Sequence, residues 1–386
     1  MNRKKIAVVF GTRPDTIKMA PIIIELQNNS DCFEVLTIAT AQHRQMLDQV
    51  LDVFKIKPNY DLDIMSPKQT LAGVTAKIIT GIDEILAVEK PDMVLVQGDT
   101  TTTCIGSMAA FYRQIPVGHI EAGLRTNDKA NPFPEEINRR ITGVITDLHF
   151  APTETSRQSL LKENVDPKTI FVTGNTVVDA LKYSVLKDYT YTVPVLNTLT
   201  EQKKKIVLVT MHRRENWGQP MEGASMAIKR LAQQFPDFAF IFPMHLNPIV
   251  RDVVNPILKD LPNVHLIEPL DYLDFVNLMS KSYLILTDSG GVQEEGPHFG
   301  VPILVLRYVT ERPDAVDYGT VKLVGLDEET IYQTALLLIQ NENEYKKMAN
   351  AVNPYGDGLS ADRTIRILKN YFGFSNQVVE EFKPKG

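Results

Sequence analysis

The chain is poor in the residues that cross-link proteins or ligate metals. It has two cysteines, Cys32 and Cys104, far apart and in apolar contexts. No paired spacing suggests a disulfide framework, a redox motif or a zinc site. Long apolar runs are absent too. The opening MNRKKIAVVFGTRPD holds a five-residue apolar stretch that runs straight into Gly-Thr-Arg-Pro, which does not fit a signal peptide, and no segment reaches membrane-spanning length. Basic charge is not in excess: 41 Lys and Arg against 47 Asp and Glu leave a net charge of -6, which gives no support to a nucleic-acid partner. There is no three-glycine dinucleotide fingerprint, no H-E-x-x-H and no P-loop, so a nicotinamide, flavin, zinc-protease or P-loop reading has no motif behind it. The pair of acids in DLD at 61–63 reads as a solvated turn. These absences point to a soluble globular protein of the cytoplasm, in which any basic site is local and no metal is expected.

What the chain does have is an alternation of short β-branched runs with longer helical patterns. The runs fall at 6–10, 34–40, 93–97, 116–120, 148–150 and 170–172, then at 205–210, 238–242, 264–267, 283–287, 301–306 and 321–324. Continuous apolar strands separated by amphipathic helices predict α/β architecture with parallel sheets covered on both faces. A length of 386 residues is ample for two such Rossmann-like, doubly wound domains facing a cleft. The expected division is 1–173 and 174–359, with a hinge near Gly174 and the helix from about Asn175 leaning on the second domain. The amphipathic helix at about 360–380 is expected to return to the first. Open parallel sheets bind ligands outside the carboxyl ends of their strands, so the residues after each strand are the candidates.

After the first strand comes GTRPDTIKMAP, where Gly11 permits a tight turn, Pro14 suits a first helical position, and Arg13 and Lys18 lie near a helix start. They are either two solvated cations or part of an anion site. Asp99 in QGDTTTT is either an N-cap or a functional acid. His119 and Glu121 in HIEAGLRT sit on an apolar strand, where a carboxylate is harder to explain as surface. Glu135 and Glu136 open a helix and could simply favour its dipole. Alternatively Asp99, Glu121 and Glu135 converge, an arrangement that can push carboxylate pKa values apart for acid and base work.

In the second half, TMHRREN supplies His212, Arg213 and Arg214, and PMHLNP supplies His245. His212 is either a structural hydrogen-bonder or a functional group. TDSGGVQEEG offers Ser289, Gly290 and Gly291 as donors to a diphosphate, with Arg312 as an added cation. Glu295 is placed to accept from ribose hydroxyls, and Glu294 is expected to be a first-turn helix acid.

Together, GTRPDTIKMAP, AQHRQMLDQV, QGDTTTT, HIEAGLRT, PFPEEINRR, HRREN, HLNP, TDSGGVQEE and TERPDA resemble, in order and spacing, the non-hydrolysing UDP-N-acetylglucosamine 2-epimerases. The resemblance implies the glycosyltransferase-B architecture, a homodimer, no redox cofactor and interconversion of UDP-GlcNAc and UDP-ManNAc. By the same resemblance Asp99, Glu121, Glu135 and His212 fall on the catalytic set. Arg13, Lys18, Ser289, Gly290, Gly291, Glu295 and Arg312 fall on substrate contacts, with Phe275 on the uracil side. Gln42, Gln45, Glu135, Arg213 and His245 match a pocket for an activating UDP-GlcNAc, where Lys68 replaces a common arginine and loses its bidentate fork. Asp15, Leu270, the Gly296 to Phe299 loop and Tyr308 with Val309 are further departures from the family pattern.

The chemistry suits these residues. The C2 proton has no neighbouring carbonyl to acidify it, so direct deprotonation faces a high barrier. Elimination of UDP, with loss of that proton, gives 2-acetamidoglucal, and re-addition gives the epimer. Such a route needs diphosphate stabilisation, an acid, a base and exclusion of water. The competing expectations are a glycosyltransferase of the same architecture, a hydrolysing 2-epimerase that releases ManNAc, and a non-catalytic nucleotide-sugar sensor.

Overall fold

The structure, a computed structural model, describes residues 2–40, 44–65 and 69–384, with residues 44–46 described by their backbone alone. The chain forms two compact units: one runs up to Tyr183 and takes in Tyr355–Pro384, and the other is Ser184–Pro354. The division therefore falls at Tyr183/Ser184 and Pro354/Tyr355, instead of the expected 173/174 and 359/360. Packing explains the shift. The helix from Thr176 to Ser184 buries Val177, Val178, Ala180 and Leu181, and its Asp179 accepts from the backbone N–H groups of Ser360 and Ala361 at 3.2 and 2.9 Å. The Asn175 N–H also donates to the Tyr355 carbonyl at 2.6 Å, so the outgoing helix and the returning chain are fastened together within the first unit.

The first unit holds seven strands: β1 (Lys4–Phe10), β2 (Phe33–Ala39), β3 (Tyr60–Asp61), β4 (Met93–Gln97), β5 (Val117–Ile120), β6 (Leu148–Ala151) and β7 (Ile170–Val172). The second holds six: β8 (Lys205–Thr210), β9 (Phe238–Pro243), β10 (Val264–Ile267), β11 (Ser282–Thr287), β12 (Ile303–Val305) and β13 (Val321–Leu323). Their orders are β3-β2-β1-β4-β5-β6-β7 and β10-β9-β8-β11-β12-β13. All strand pairings among the described residues are parallel; Val8, for example, lies opposite Thr37 on one side and Leu95 on the other. Strand cores such as Ile6 to Val9 and Val207 to Val209 are buried on both faces, which is why they read as unbroken apolar runs.

Each sheet reverses its winding at one place, between β1 and β4 and between β8 and β11. Loops after those strands diverge and leave a crevice at the strand ends. The candidate residues lie there: Arg13 after β1, Asp99 after β4, His212 after β8 and Ser289 after β11. The single strand that the hydrophobic pattern did not predict is β3, two residues long, which takes Asp61 from the expected DLD turn.

Candidate active site

The candidate residues divide between the two units, and each set is taken in its own unit. In the first, β1 turns at Gly11 into the helix Arg13–Asn28, with half-buried Arg13 at its start. A β-carbon at Gly11 would strike the hydroxyls of Thr40 and Thr102, which bond each other at 2.8 Å. Thr12 caps the helix in a reciprocal box with Asp15, the backbone N–H of each meeting the side-chain oxygen of the other at 3.3 and 3.4 Å. Asp15 also accepts from the Thr100 hydroxyl at 3.1 Å, which ties the loop after β1 to the loop after β4. Burial, and then the nearby charge of Asp99, push the Asp15 carboxyl up to about 7.

Lys18, on the same helix, is buried and forms an ion pair with buried Glu121. Glu121 directly follows β5 at φ +63°, a left-handed conformation that a non-glycine residue keeps only where its surroundings enforce it. The enforcing contacts are Lys18 and the Asn175 side-chain amide, which donates to the Glu121 carboxylate at 2.8 Å. Asn175 is itself buried.

Asp99 is not the N-cap of the following helix. Thr100 does that work, accepting from the Thr103 N–H at 3.3 Å at the start of Thr101–Tyr112. The Asp99 carboxylate instead pairs with Arg139, and the Asn138 side chain donates to the Asp99 carbonyl at 2.9 Å. His119 lies buried 2.7 Å from the Gly98 carbonyl. Burial drives its pKa down to about 3, so it stays neutral and pins the turn that precedes Asp99.

The two glutamates that open the helix Glu135–Ile145 differ. Glu136 is fully buried and accepts from the N–H groups of Thr126 and Asn127 at 3.0 and 3.1 Å, a structural task. Glu135 has no hydrogen bond or ion pair to another residue among those described. Burial raises it above the usual carboxylate range, with Asp99 adding to the rise and Arg139 opposing it. Arg139 stands one turn after Glu135, buried, and its Nε and Nη1 have no hydrogen-bond partner among the described residues.

In the second unit a buried aspartate organises the loop after β8. One Asp288 oxygen accepts from the N–H groups of His212 and Arg213 and from the Asn216 side chain, each at 2.9 Å. The other lies 3.0 Å from His212 Nδ1. Burial works against the Asp288 charge, yet these donors hold its pKa below the usual value. The contact places the Nδ1 side of the His212 ring against Asp288, with Nε2 on the other side of the ring. His245, exposed, stacks on His212 with ring centroids 6.2 Å apart.

Ser289 opens the short helix Gly290–Glu295 without using its hydroxyl as a cap. Gly290 must be glycine because a β-carbon there would run into the Arg312 guanidinium. Arg312 is held by Glu294 at 2.7 Å and by Glu311 at 2.7 Å. Glu294 is thus a buried partner of Arg312, not the first-turn acid expected; the Arg312 charge is what keeps it in the interior. Glu295 and Phe275 are both half-buried, Glu295 beside Gly291 and Phe275 in the helix Tyr272–Lys281. Of the expected activator residues, Gln42 and Lys68 lie outside the described residues. Gln45 falls in the helix Arg44–Phe54 with its side chain outside them, and Arg213 and His245 are placed as above. Tyr308 and Val309 are exposed.

Five residues that complete these sets were not expected: Asn175, Arg139, Asn216, Asp288 and Glu311. Asp288 had a signal in the sequence, since it follows a buried strand directly and precedes the Ser-Gly-Gly turn. Arg139 had one too, standing four positions after Glu135 on a helix face. Asn175, Asn216 and Glu311 are defined by partners far away in sequence.

Known proteins are similar to this chain. A family model described as UDP-N-acetylglucosamine 2-epimerase matches residues 25–369. The chain belongs to that family. The UDP-N-acetylglucosamine 2-epimerase of Bacillus subtilis is 52% identical over 385 residues, with 100% of both chains covered. Among solved structures, the S. aureus MnaA–UDP co-structure has a TM-score of 0.88 at 49% identity, covering 99% of this chain and 100% of that one. The Neisseria meningitidis UDP-GlcNAc 2-epimerase, bound to UDP-GlcNAc, has a TM-score of 0.85 at 48% identity, with 95% and 100% covered. Family membership makes the chain one of a group of isomerases and accounts for both of its parallel-sheet domains. Among the described residues no helix is long and apolar enough to cross a membrane.

Proposed function

We propose that this protein interconverts UDP-GlcNAc and UDP-ManNAc by eliminating UDP and adding it back. The observation that carries the reading is the contrast among three carboxylates of the first unit. Glu121 and Asp99 are each engaged by a cation, while Glu135 has no ion pair among the described residues and is raised by burial. A base and a proton carrier are what the reaction asks of this set.

In the forward direction one carboxylate takes the proton from C2 as the C1–O bond breaks. The bonding electrons leave with UDP, and a C1–C2 double bond forms. His212, oriented by Asp288, is suited to donate from Nε2 to the departing diphosphate, with Arg312, fixed by Glu294 and Glu311, and Arg13 as cations. For re-addition a proton reaches C2 on the opposite face while the UDP oxygen attacks C1. Glu135 is the member of the set that burial favours in its protonated form. The relatives with UDP and UDP-GlcNAc in their structures support the choice of ligand.

The direct test is to incubate the protein with UDP-GlcNAc and resolve the products. UDP-ManNAc at equilibrium with substrate is expected. Free ManNAc with UDP would instead mark the hydrolysing reaction, transfer to an added acceptor a glycosyltransferase, and tight UDP binding without turnover a sensor.

A homodimer is part of the same proposal. It is supported by exposed apolar side chains on two helices packed together: Phe111 and Tyr112 on one, and Ile137, Ile141 and Val144 on the other. Sedimentation should give a dimer. An activating nucleotide sugar beside Arg213 and His245, a cytoplasmic location, and use of UDP-ManNAc in cell-surface polysaccharide rest on the family resemblance.

A further inference from the structure

The loop after β12 puts a carboxylate where an anion site has least use for one. Glu311 immediately precedes Arg312, and its oxygens lie 2.7 Å from Arg312 Nη1, 2.8 Å from Arg307 Nη1 and 3.2 Å from Arg213 Nη2. One oxygen, Oε1, is shared by Arg312 and Arg213, which come from the loops after β12 and β8. The cluster is enclosed: the side chains of Glu311, Arg307 and Arg312 are 16%, 12% and 11% exposed. Burial disfavours the Glu311 charge, but Arg312, Arg307 and Arg213 override it and hold the carboxyl far below its usual range.

Three guanidinium groups gathered without an anion repel one another, and each has a long side chain by which to leave. Glu311 offsets one of the three charges before any ligand arrives, beside Glu294 on Arg312 and the more distant Glu215, 3.7 Å from Arg307 and 3.8 Å from Arg213, and it alone of these acids bonds all three arginines. It also fixes two arginine forks at a common oxygen. Glu294 grips Arg312 from a second side at Nε, which leaves the guanidinium lying over Gly290. An arginine fixed in this way contributes more to anion binding, because little side-chain freedom remains to be lost when the anion arrives.

We propose that Glu311 is the positioning residue of the diphosphate site, holding Arg312 over Gly290 and joining it at one oxygen to Arg213 of the neighbouring activator set, without touching the ligand itself. The proposal rests on the UDP-sugar reading above. It extends that reading to a residue whose charge has the same sign as the ligand's.

Two variants of the full chain separate charge from shape. Glu311→Gln keeps the shape and loses the charge, whereas Glu311→Asp keeps the charge and shortens the reach. UDP binding, followed by calorimetry, should weaken by about ten- to a hundredfold in Glu311→Gln, as expected for loss of charge-assisted bonds. KM for UDP-GlcNAc should rise more than kcat falls. Glu311→Asp should lie between the wild type and Glu311→Gln. Uridine, which lacks phosphates, should compete equally well with all three proteins.

UDP affinity in Glu311→Gln that equals or exceeds the wild type overturns the proposal, because Glu311 would then be neutral or a competitor of the phosphates. An Asp variant weaker than the Gln variant overturns it too, since packing would then outweigh charge. If Glu311→Gln does not fold, Glu311→Asp carries the test alone: lower UDP affinity with unchanged uridine affinity supports the proposal, and unchanged UDP affinity overturns it. A wild-type protein that binds UDP without epimerising it breaks the functional reading while the binding comparison still decides the role of Glu311. A wild type with no UDP affinity overturns both.

Discussion

Three carboxylates of the first unit and two of the second are displaced in opposite directions by their surroundings. In the first, Asp15 is pushed up to about 7, Asp179 up to about 6, and Glu135 above its usual range, with burial as the leading cause each time. In the second, Asp288 and Glu311 are equally deprived of water but held below their usual values by His212, backbone donors and arginines. Burial is common to both, and partners decide the sign. Carboxylates raised by burial are suited to moving protons, and carboxylates held ionised by their partners are suited to fixing cations around a charged ligand. Division of labour between a proton-transfer set and an anion-binding set is what the proposed reaction requires.

The largest way to break this comparison is Glu121→Gln, which keeps the hydrogen-bonding shape beside Lys18 and Asn175 and removes the charge of a carboxylate proposed to take part in proton transfer. We expect kcat to fall by about a thousandfold, with UDP binding changed little, in steady-state assays paired with calorimetry. An equal loss of UDP affinity would erase the distinction between the sets. Next is Asp288→Asn, which should misorient His212 and lower kcat by about a hundredfold, measured as single-turnover release of UDP.

Asp179 sharpens the comparison through stability. Its folded pKa of about 6 lies above the ordinary 3.8. Between those values the folded state binds the extra proton, so stability should fall as pH rises from about 4 to about 6 and then level off. The full difference is about 3 kcal/mol for a shift of this size, and Asp179→Asn should flatten the fall in denaturant titrations. Asp288 and Glu311 act with the other sign, since their contribution is present at neutral pH and is lost only in acid. The smallest effect is expected from Asp15→Asn. As pH rises through about 7, Asp15 gains a charge in the first turn beside Arg13 and Asp99, so UDP-GlcNAc affinity should decline by less than about tenfold in the wild type. The variant should show no such rise in KM.

Much of the fold was legible because its strands are buried on both faces: IAVVF, MVLVQ and YLILT could be placed without any partner in view. Two-residue β3 was not, because Tyr60 and Asp61 are held by pairing with β2 alone. The unit boundary was misplaced because Gly174 and Asn175 look like a hinge locally, whereas Asp179 and Tyr355 bind that helix to the first unit over long sequence separations. At the site, residues proposed to meet a ligand could be picked out from their places after strands. Residues that meet other residues, such as Arg139 on Asp99 or Glu311 on Arg213, could not, since the sequence does not display who stands opposite. Glu294 shows the same limit, reading as a helix acid until Arg312 is placed beside it.

The measurement that bears most directly on the central claim is deuterium incorporation during epimerisation. UDP-GlcNAc turned over in deuterated water should yield UDP-ManNAc carrying deuterium at C2, because the proton removed by one carboxylate is replaced by one exchanged with solvent. UDP-ManNAc formed without deuterium, or exchange at C2 with no epimer, would contradict the account.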